Sequence, residues 1–285
     1  MQTNLRLSQI EFLYTFVLRE ALAVCAFELA MDCAFLVSAG GRHFYRKDSS
    51  SRSREVVRYT RGWNTGSFRY MSLLENLKSQ WDEKRAGWLI RRNTMVGPER
   101  MQNLARLAQR IEDEQIPGDV VECGVYKGGT AAILARTATH SRLPRTVWLF
   151  DYFQGMPPAT EADGPEAESW VGNLTSSPER VARLLRSTGA ELSRVKIVPG
   201  MFQETFGQVE IPRIAILNID ADWYESVKLC FERFYDAVVT GGFISIDDYG
   251  DWPGCRQAVD EFFQARQLPY PLQRVDKTAH WFQKT

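Results

Sequence analysis

From residue 94 onward, short apolar runs alternate with segments in which apolar residues recur at helical spacing. The first pattern is typical of strands buried on both faces, and the second of amphipathic helices. The predicted strands are residues 119–125, 146–151, 195–200, 214–220 and 243–247, and the predicted helices are residues 99–115, 130–137, 179–187, 224–238 and 255–265. Residues 272–284 predict a terminal hairpin of two short strands. The alternation predicts an α/β fold with a mostly parallel seven-stranded sheet and an antiparallel edge hairpin.

The first 93 residues are predicted to form a helical N-terminal extension, with the main domain at 94–285. Residues 10–37 are strongly apolar, but charged side chains interrupt them too often for a membrane span. They predict helices packed on the core or on a second subunit, so we expect a homodimer or larger homo-oligomer; peripheral membrane attachment is the alternative. Residues 46–58 read as a polar linker. Residues 59–88 are rich in aromatics, which either cover a ligand pocket or pack on the main domain.

Composition narrows the class of function. Lys plus Arg and Asp plus Glu both total 35 in 285 residues, so the net charge is zero. A general nucleic-acid or anionic-membrane surface is therefore not indicated. The five cysteines are scattered without metal-type spacing, and Cys123 and Cys230 have core-like surroundings. This pattern fits a protein of the reducing cytoplasm.

Four carboxylates directly follow two of the predicted strands. Asp220 and Asp222 come at the end of one strand, and Asp247 and Asp248 end the next strand along the chain. An unpaired charge cannot be buried inside such a strand, so these side chains should lie at its carboxyl edge. Open α/β sheets bind their ligands at this edge. The sequence therefore predicts a pocket that favours a cation.

A glycine-containing turn follows the first predicted strand, in the run that begins with Glu122 and includes Gly124 and Gly128. A dinucleotide site needs closer glycine spacing, and an acid on the strand would repel a pyrophosphate. Asp151 ends the second strand, where an acid commonly accepts hydrogen bonds from a ribose diol. S-adenosylmethionine, with an ammonium, a sulfonium and a ribose but no phosphate, suits this arrangement better than NAD.

Several sequence blocks together resemble one family: residues 94–97 with 100–104, 117–125 with 128–129, 148–157, 220–226, and 241–250 with 256–260. The family is the macrocin and mycinamicin type of S-adenosylmethionine- and Mg-dependent O-methyltransferases, which modify sugars and related hydroxyls of natural products. The resemblance covers residue 94 to the end and implies a Rossmann-like class I methyltransferase fold. One departure is Asp-Ala-Asp at 220–222, where the family has Asp-Gly-Asp.

The resemblance implies that Asp220, Asp247 and Asp248 hold Mg²⁺, a hard cation that takes oxygen ligands. Asp222 is the predicted general base for the hydroxyl proton. In the alternative arrangement Asp222 is the metal ligand and Asp220 is the base. Both residues are therefore catalytic candidates.

The predicted cofactor contacts are Glu122, Gly124, Gly128, Asp151, Thr94 and Met95. The predicted substrate contacts are Trp223, Tyr224 and Tyr249, although aromatic side chains at a strand end also serve as packing. The expected function is methylation of a sugar hydroxyl of a natural product or glycan, with a small-molecule acceptor as partner. The alternatives are a phenol, catechol or amine acceptor, or a non-catalytic scaffold of the same fold.

Overall fold

The computed structural model of the chain describes residues 65–269 and 271–285, with side chains described from residue 78 onward. Its strands are β1 (Asp119–Cys123), β2 (Val147–Asp151), β3 (Val195–Pro199), β4 (Ile214–Ile219), β5 (Val238–Ile246), β6 (Gln273–Arg274) and β7 (His280–Gln283). Its α-helices are α1 (Thr65–Arg92), α2 (Pro98–Asp113), α3 (Gly129–His140), α4 (Pro178–Ser187), α5 (Phe202–Thr205), α6 (Tyr224–Phe234) and α7 (Pro253–Arg266).

All seven strands form one sheet in the order β3-β2-β1-β4-β5-β7-β6. The first five are parallel, and β7 runs antiparallel to both β5 and β6. This confirms the predicted mostly parallel sheet with an antiparallel edge hairpin. The strand order reverses at β1, which lies between β2 and β4. The carboxyl ends of these central strands are therefore where such a sheet opens to a ligand.

Apolar sequence explains why the sheet is buried on both faces. All six residues of β4 are buried, and α2 presents Leu104, Leu107 and Ile111 to one core cluster. Helices α6 and α7 cover the other face. Cys123 and Cys230 are fully buried there, in agreement with the core positions predicted for them.

One predicted helix is too long. The sequence assigned residues 224–238 to a helix, but α6 ends at Phe234 and Val238 begins β5. Val238 pairs with Ile214 on β4, and the register shifts before Ile216 pairs with Phe243. The predicted burial of Val238 is confirmed, because its side chain is 1% exposed. Burial alone does not distinguish a helix from a strand, since both can bury an apolar side chain. The local pattern could not separate the two.

Part of the N-terminal extension is described. Helix α1 ends at Arg92, next to the predicted domain boundary at residue 93, which remains a prediction. Trp81 and Trp88 are 46% and 50% exposed, so neither side chain is buried. The guanidinium of Arg92 lies 4.7 Å from the centre of the Trp88 ring. Residues 10–37, and with them the predicted oligomer contact, lie outside the described residues.

Within the described residues, no helix combines the length and the apolar character that crossing a membrane requires.

Candidate active site

A cavity lies at the carboxyl ends of β1, β2, β4 and β5. It is lined by residues 94–96, 124–126, 151–152, 155–157, 201–203, 220–222, 247–248 and 251–252, together with Arg100, Thr130, Trp170, Leu174 and Ser226. Four of the six predicted cofactor contacts form part of this wall: Thr94, Met95, Gly124 and Asp151. All four predicted acids also lie on it. The predicted ligand edge and the observed cavity therefore coincide.

Three of the four acids converge. Carboxylate oxygens of Asp220, Asp222 and Asp248 lie within 4.8 Å of one another. The backbone N–H of Asp222 donates to Asp248 Oδ2 at 3.2 Å, which ties the two strand ends together. Burial, followed by repulsion between neighbouring carboxylates, raises the pKa of Asp220 and Asp248 well above the ordinary value. The same two causes raise the pKa of Asp222 to about 7.

The backbone at Asp222 is held in a tight turn. Its φ of 54° lies in the left-handed region, and the N–H of Trp223 donates to the carbonyl of Ala221 at 2.6 Å. This three-residue turn points the chain from β4 into α6 immediately after the acid. Asp and Asn are the non-glycine residues that best tolerate this conformation. Backbone strain of this kind is concentrated at functional sites.

Asp247 is outside the convergent group of three and is paired with an arginine. Arg100 Nη1 donates to Asp247 Oδ2, and Arg100 Nε lies 3.1 Å from Asp276 Oδ2. Burial raises the pKa of Asp247 to about 6, and Arg100 opposes that rise. Asp247 is one of the predicted metal ligands; in the structure it forms this ion pair, next to the convergent group. The pairing joins residues 147 positions apart, which the local sequence cannot reveal.

The backbone at position 124 requires a glycine. Its φ is +88°, and a Cβ at this position would lie 1.6 Å from the carbonyl oxygen of Asp220. The turn after β1 therefore approaches the end of β4 more closely than any side chain allows. Gly128 has a φ of +90° and is the N-cap of α3, and a Cβ at this position would lie 3.0 Å from Val181 Cγ1. Gly128 does not line the cavity.

The two acids predicted to bind the cofactor have structural partners. Asp151 lines the cavity, but its Oδ2 accepts the N–H groups of Val125 and Tyr126 at 2.7 and 2.8 Å, and its Oδ1 accepts that of Phe153 at 2.6 Å. It therefore shapes the turn after β1. The predicted ribose contact of Asp151 remains a prediction.

Glu122 lies within the sheet, below the cavity, and is fully buried. Its Oε1 accepts a hydrogen bond from Asn218 Nδ2 at 3.0 Å, while Oε2 has no hydrogen-bond partner among the described residues. Burial raises the pKa of Glu122 to about 8. A direct contact between Glu122 and a cofactor would need access that this burial does not provide.

The three aromatic residues predicted to touch the substrate do not line the cavity. Trp223 is 1% exposed and its Nε1 donates to the carbonyl of Pro157 at 3.0 Å. The hydroxyl of Tyr224 donates to Glu261, and that of Tyr249 donates to Asp260. Their side chains pack between elements or lie over α7. They are packing residues in this structure.

The loop between β2 and α4 (residues 152–177) forms one wall through residues 155–157, Trp170 and Leu174. Asp163 anchors the loop: it is 1% exposed, accepts two hydrogen bonds from Thr160, and accepts the N–H of Tyr224 at 2.6 Å. The hydrogen bond from Trp223 to Pro157 provides a second anchor. The loop is therefore fixed to the start of α6, directly beside the acids.

Arg100 and Trp252 are among the cavity residues for which the sequence predicted no role. Arg100 stands within one of the sequence blocks that carry the family resemblance, and this was the available signal for it. Trp252 lies four residues after Asp248 and packs edge-on against Trp223, with 4.8 Å between the ring centres. Its position on the cavity wall depends on how α7 starts, which the sequence pattern did not show.

The convergent group fits a hard divalent cation. Every candidate ligand atom is a carboxylate oxygen, the type that Mg²⁺ prefers. Burial raises the pKa values of these three acids, and repulsion from neighbouring carboxylates adds to the rise. A bound cation would remove that repulsion.

Comparison with known proteins bears on the activity. A family model described as macrocin-O-methyltransferase (TylF) matches residues 49–284, so the similarity begins well before residue 94. The demethyldecarbamoylnovobiocin O-methyltransferase of Streptomyces niveus is 33% identical over 206 residues, covering 70% of this chain and 78% of that protein. The mycinamicin III 3''-O-methyltransferase of Micromonospora griseorubida is 32% identical over 202 residues, covering 68% and 79%.

A solved structure is also similar. The structure of the O-methyltransferase NovP superposes with a TM-score of 0.60 at 31% identity, covering 68% of this chain and 82% of that one. Sheet order, cavity position and sequence similarity agree with one another. The chain therefore belongs to the macrocin-O-methyltransferase family and is an O-methyltransferase.

Proposed function

We propose that this protein transfers a methyl group from S-adenosylmethionine to a sugar hydroxyl of a glycosylated natural product, with Mg²⁺ bound beside the acceptor. The observation that carries the proposal is the group formed by Asp220, Asp222 and Asp248 on the cavity wall. The names of two similar proteins support a natural-product acceptor, and one of them specifies a 3''-hydroxyl. The methyl donor follows from membership of a methyltransferase family.

The donor is placed over the ends of β1 and β2. Thr94, Met95, Gly124 and Asp151 line this part of the cavity. Met95 is 58% exposed, which is high for an apolar side chain and is consistent with a position that a ligand covers. The ammonium and sulfonium of S-adenosylmethionine are both cationic, so a cavity lined by carboxylates attracts this donor.

We assign Asp220 and Asp248 to the metal. Mg²⁺ is usually bound through one or two carboxylates and keeps positions for water and substrate. Two carboxylates therefore suffice, and the ion pair with Arg100 keeps Asp247 beside the site without making it a ligand. When bound, the cation would lower the pKa of an acceptor hydroxyl.

We assign Asp222 as the general base that accepts the proton of the acceptor hydroxyl. It lies within the same 4.8 Å group as the two proposed ligands, so a hydroxyl placed there is within its reach. Burial and Asp247 raise the pKa of Asp222 to about 7 in the metal-free protein. A neighbouring cation would lower this pKa, so the carboxylate would be ionised and able to accept a proton near neutral pH. The tight turn at Asp222 and its bond to Asp248 fix the direction of this carboxylate.

Positioning should supply most of the rate. Holding an acceptor oxygen in line with a reactive methyl group contributes on the order of 7–11 kcal/mol. A general base contributes typically about 10²–10⁴-fold, which is roughly 3–5 kcal/mol. The fixed loop between β2 and α4 and the acids at the strand ends are the parts of this chain that provide the positioning.

The test separates the roles of two acids. In the full-length protein, Asp248→Asn should lose Mg²⁺ affinity, and Asp222→Asn should keep it. Both should lose methyl transfer to glycosides in an assay with labelled S-adenosylmethionine, and both should still bind S-adenosylhomocysteine in calorimetry. Full turnover by the wild-type protein in a strong chelator would refute the role of the metal. Normal turnover by Asp222→Asn would refute the role of the base.

A further inference from the structure

The two helices that follow the acids of the cavity both begin at a tryptophan. Trp223 is the N-cap of α6 and Trp252 is the N-cap of α7, and neither side chain caps its helix. An acceptor oxygen of Ser, Thr, Asp or Asn at this position normally satisfies one of the first free N–H groups of a helix, and tryptophan has no such oxygen. Helices α6 and α7 therefore begin without a cap of their own.

The carboxylate of Asp163 lies between the two helix starts. Its Oδ1 accepts the N–H of Tyr224, the first residue of α6, at 2.6 Å. Gly254 is the second residue of α7, and a Cβ at this position would lie 2.0 Å from the same oxygen. Both helix ends carry positive partial charge, so both favour an anion here. One carboxylate from the loop between β2 and α4 thus serves the starts of both helices.

The same carboxylate holds its own loop in shape. Asp163 Oδ2 accepts the N–H and the hydroxyl of Thr160, both at 2.7 Å. Asp163 is 1% exposed, and the donors of these three hydrogen bonds are uncharged. A buried carboxylate that loses such donors is strongly destabilised. The loop, α6 and α7 are therefore held together by one group.

The glycine at position 254 is required by this carboxylate. Gly254 is not among the residues with a positive φ, so its backbone conformation is open to any residue. Space is what excludes a side chain, since a Cβ would overlap Asp163 Oδ1 and lie 3.0 Å from the backbone nitrogen of Tyr224. Glycine here permits a close approach of α7 to the loop.

Both helix starts are continuous with the turns that carry the acids. Asp222 precedes Tyr224 by two residues. On the other side, the N–H groups of Asp251 and Trp252 donate to the carbonyl of Asp248 at 3.0 and 3.1 Å. A shift of either helix start would therefore move an acid of the cavity relative to the loop that forms the opposite wall.

We propose that Asp163 is a positioning residue for methyl transfer, because it sets the place of the loop wall relative to the two turns that carry Asp222 and Asp248. Its side chain does not line the cavity, so it acts through these elements. The inference rests on the proposed function only in taking those acids as the groups that act on the acceptor. Misplacing reacting groups by about 1 Å can cost about 10²-fold in rate.

The experiment measures hydrogen exchange and ligand binding in the full chain. Asp163→Asn keeps the side-chain volume but replaces an accepting oxygen with an amide that cannot accept, so a buried N–H group loses its partner. We expect amide exchange to become at least about tenfold faster in residues 152–177, and also in residues 220–226 and 247–252. Mg²⁺ affinity in calorimetry should fall about tenfold, the lower end of the range for groups that orient metal ligands. Affinity for S-adenosylhomocysteine should be unchanged, since the donor side of the cavity is not attached to Asp163.

Two further variants keep the test independent of any single substitution. Thr160→Val removes only the hydroxyl donor and should give the same pattern at smaller amplitude, which remains measurable if Asp163→Asn does not fold. Gly254→Ala displaces the carboxylate without changing it, and should also give this pattern. In an Asp163→Ala background, Gly254→Ala should have a clearly smaller effect, because the group with which it clashes is gone.

Matched controls come from the same parts of the chain. Glu161→Gln removes the same charge from the same turn at an exposed position, and should leave exchange and binding unchanged. Gly207→Ala adds a methyl group where a Cβ would meet no atom within 4 Å, and should likewise have no effect.

The possible outcomes separate the inference from the proposed function. Faster exchange confined to residues 152–177, with Mg²⁺ affinity unchanged, would overturn the inference and leave the proposed function standing, because Asp163 would then anchor only its own loop. Additive effects of Asp163→Ala and Gly254→Ala would contradict it as well. A wild-type protein that binds no Mg²⁺ would refute the metal of the proposed function, and exchange in residues 220–226 and 247–252 would still decide the role of Asp163.

Discussion

Replacing Asp222 with Asn should stabilise the metal-free protein at neutral and alkaline pH. Asn tolerates the left-handed backbone at this position nearly as well as Asp, so the turn after β4 is kept. The substitution removes one charge from a group in which Asp220 and Asp248 lie within 4.8 Å. The substitution therefore changes the charge of the side chain and leaves its volume nearly constant.

The magnitude follows from the pKa of the carboxyl. Burial, and next the charge of Asp247, raise the pKa of Asp222 from 3.8 to about 7. A difference of about 3 pKa units corresponds to about 4 kcal/mol as an upper limit, since one unit is about 1.36 kcal/mol. Because the folded-state pKa is the higher one, the stability contribution is full below about pH 4 and is lost as pH rises through about 7. The ionised carboxyl thus destabilises the folded, metal-free protein.

The assay is urea unfolding in chelator from about pH 5 to about pH 8. Because other groups titrate in both proteins, the informative quantity is the stability of Asp222→Asn minus that of the wild type. We expect this difference to be positive, to grow up to about pH 7 and to level off above it. Asp236→Asn is the control with the opposite sign, because the ion pair with Arg266 lowers the pKa of Asp236.

Two results would refute this reasoning. One is a variant less stable than the wild type at about pH 8 in chelator. The other is a difference that does not change with pH. Either would mean that the carboxyl of Asp222 is not crowded by its neighbours in solution, and the argument for a cation at this place would lose its electrostatic basis.

Three further changes test the scaffold of the site. Gly124→Ala places a methyl group 1.6 Å from the carbonyl oxygen of Asp220 at a positive φ. Urea unfolding should therefore show a loss of stability of at least about 2 kcal/mol, and calorimetry should show weaker binding of S-adenosylhomocysteine. Glu122→Gln should gain stability over the wild type as pH rises from about 4.5 to about 8, because burial raises the pKa of Glu122; a pH-independent difference would contradict this. Trp223→Phe loses the hydrogen bond to Pro157, worth about 1 kcal/mol, and steady-state kinetics should show KM for the acceptor rising more than kcat falls.

Much of the fold was predictable from local pattern. Each of the first four strands lies within two residues of its predicted bounds, because a buried parallel strand is a continuous apolar run and its end is marked by an acid or a turn. The acids of the site were found for the same reason: a charge that directly follows such a run must lie at the sheet edge. Glycine spacing and the family resemblance then narrowed the ligand to a methyl donor.

Tertiary structure decided how the predicted residues share the site. Asp247 and Asp248 are neighbours in sequence, yet one pairs with Arg100 and the other faces Asp222. The direction of a side chain at a strand end depends on the elements that pack there. Arg100, which pairs with Asp247, belongs to α2 and is 147 positions away in the sequence. Trp223 likewise turns away from the cavity because Pro157 accepts its N–H.

The amino-acid sequence by itself determined the class of fold, the edge of the sheet that carries the site and the acids available there, since hydrophobic periodicity and the cost of burying charge are local properties. Only the tertiary structure decided which carboxylates converge and which one pairs with an arginine. These depend on distances between residues far apart in the chain, and such distances exist only after the strands have paired and the helices have packed.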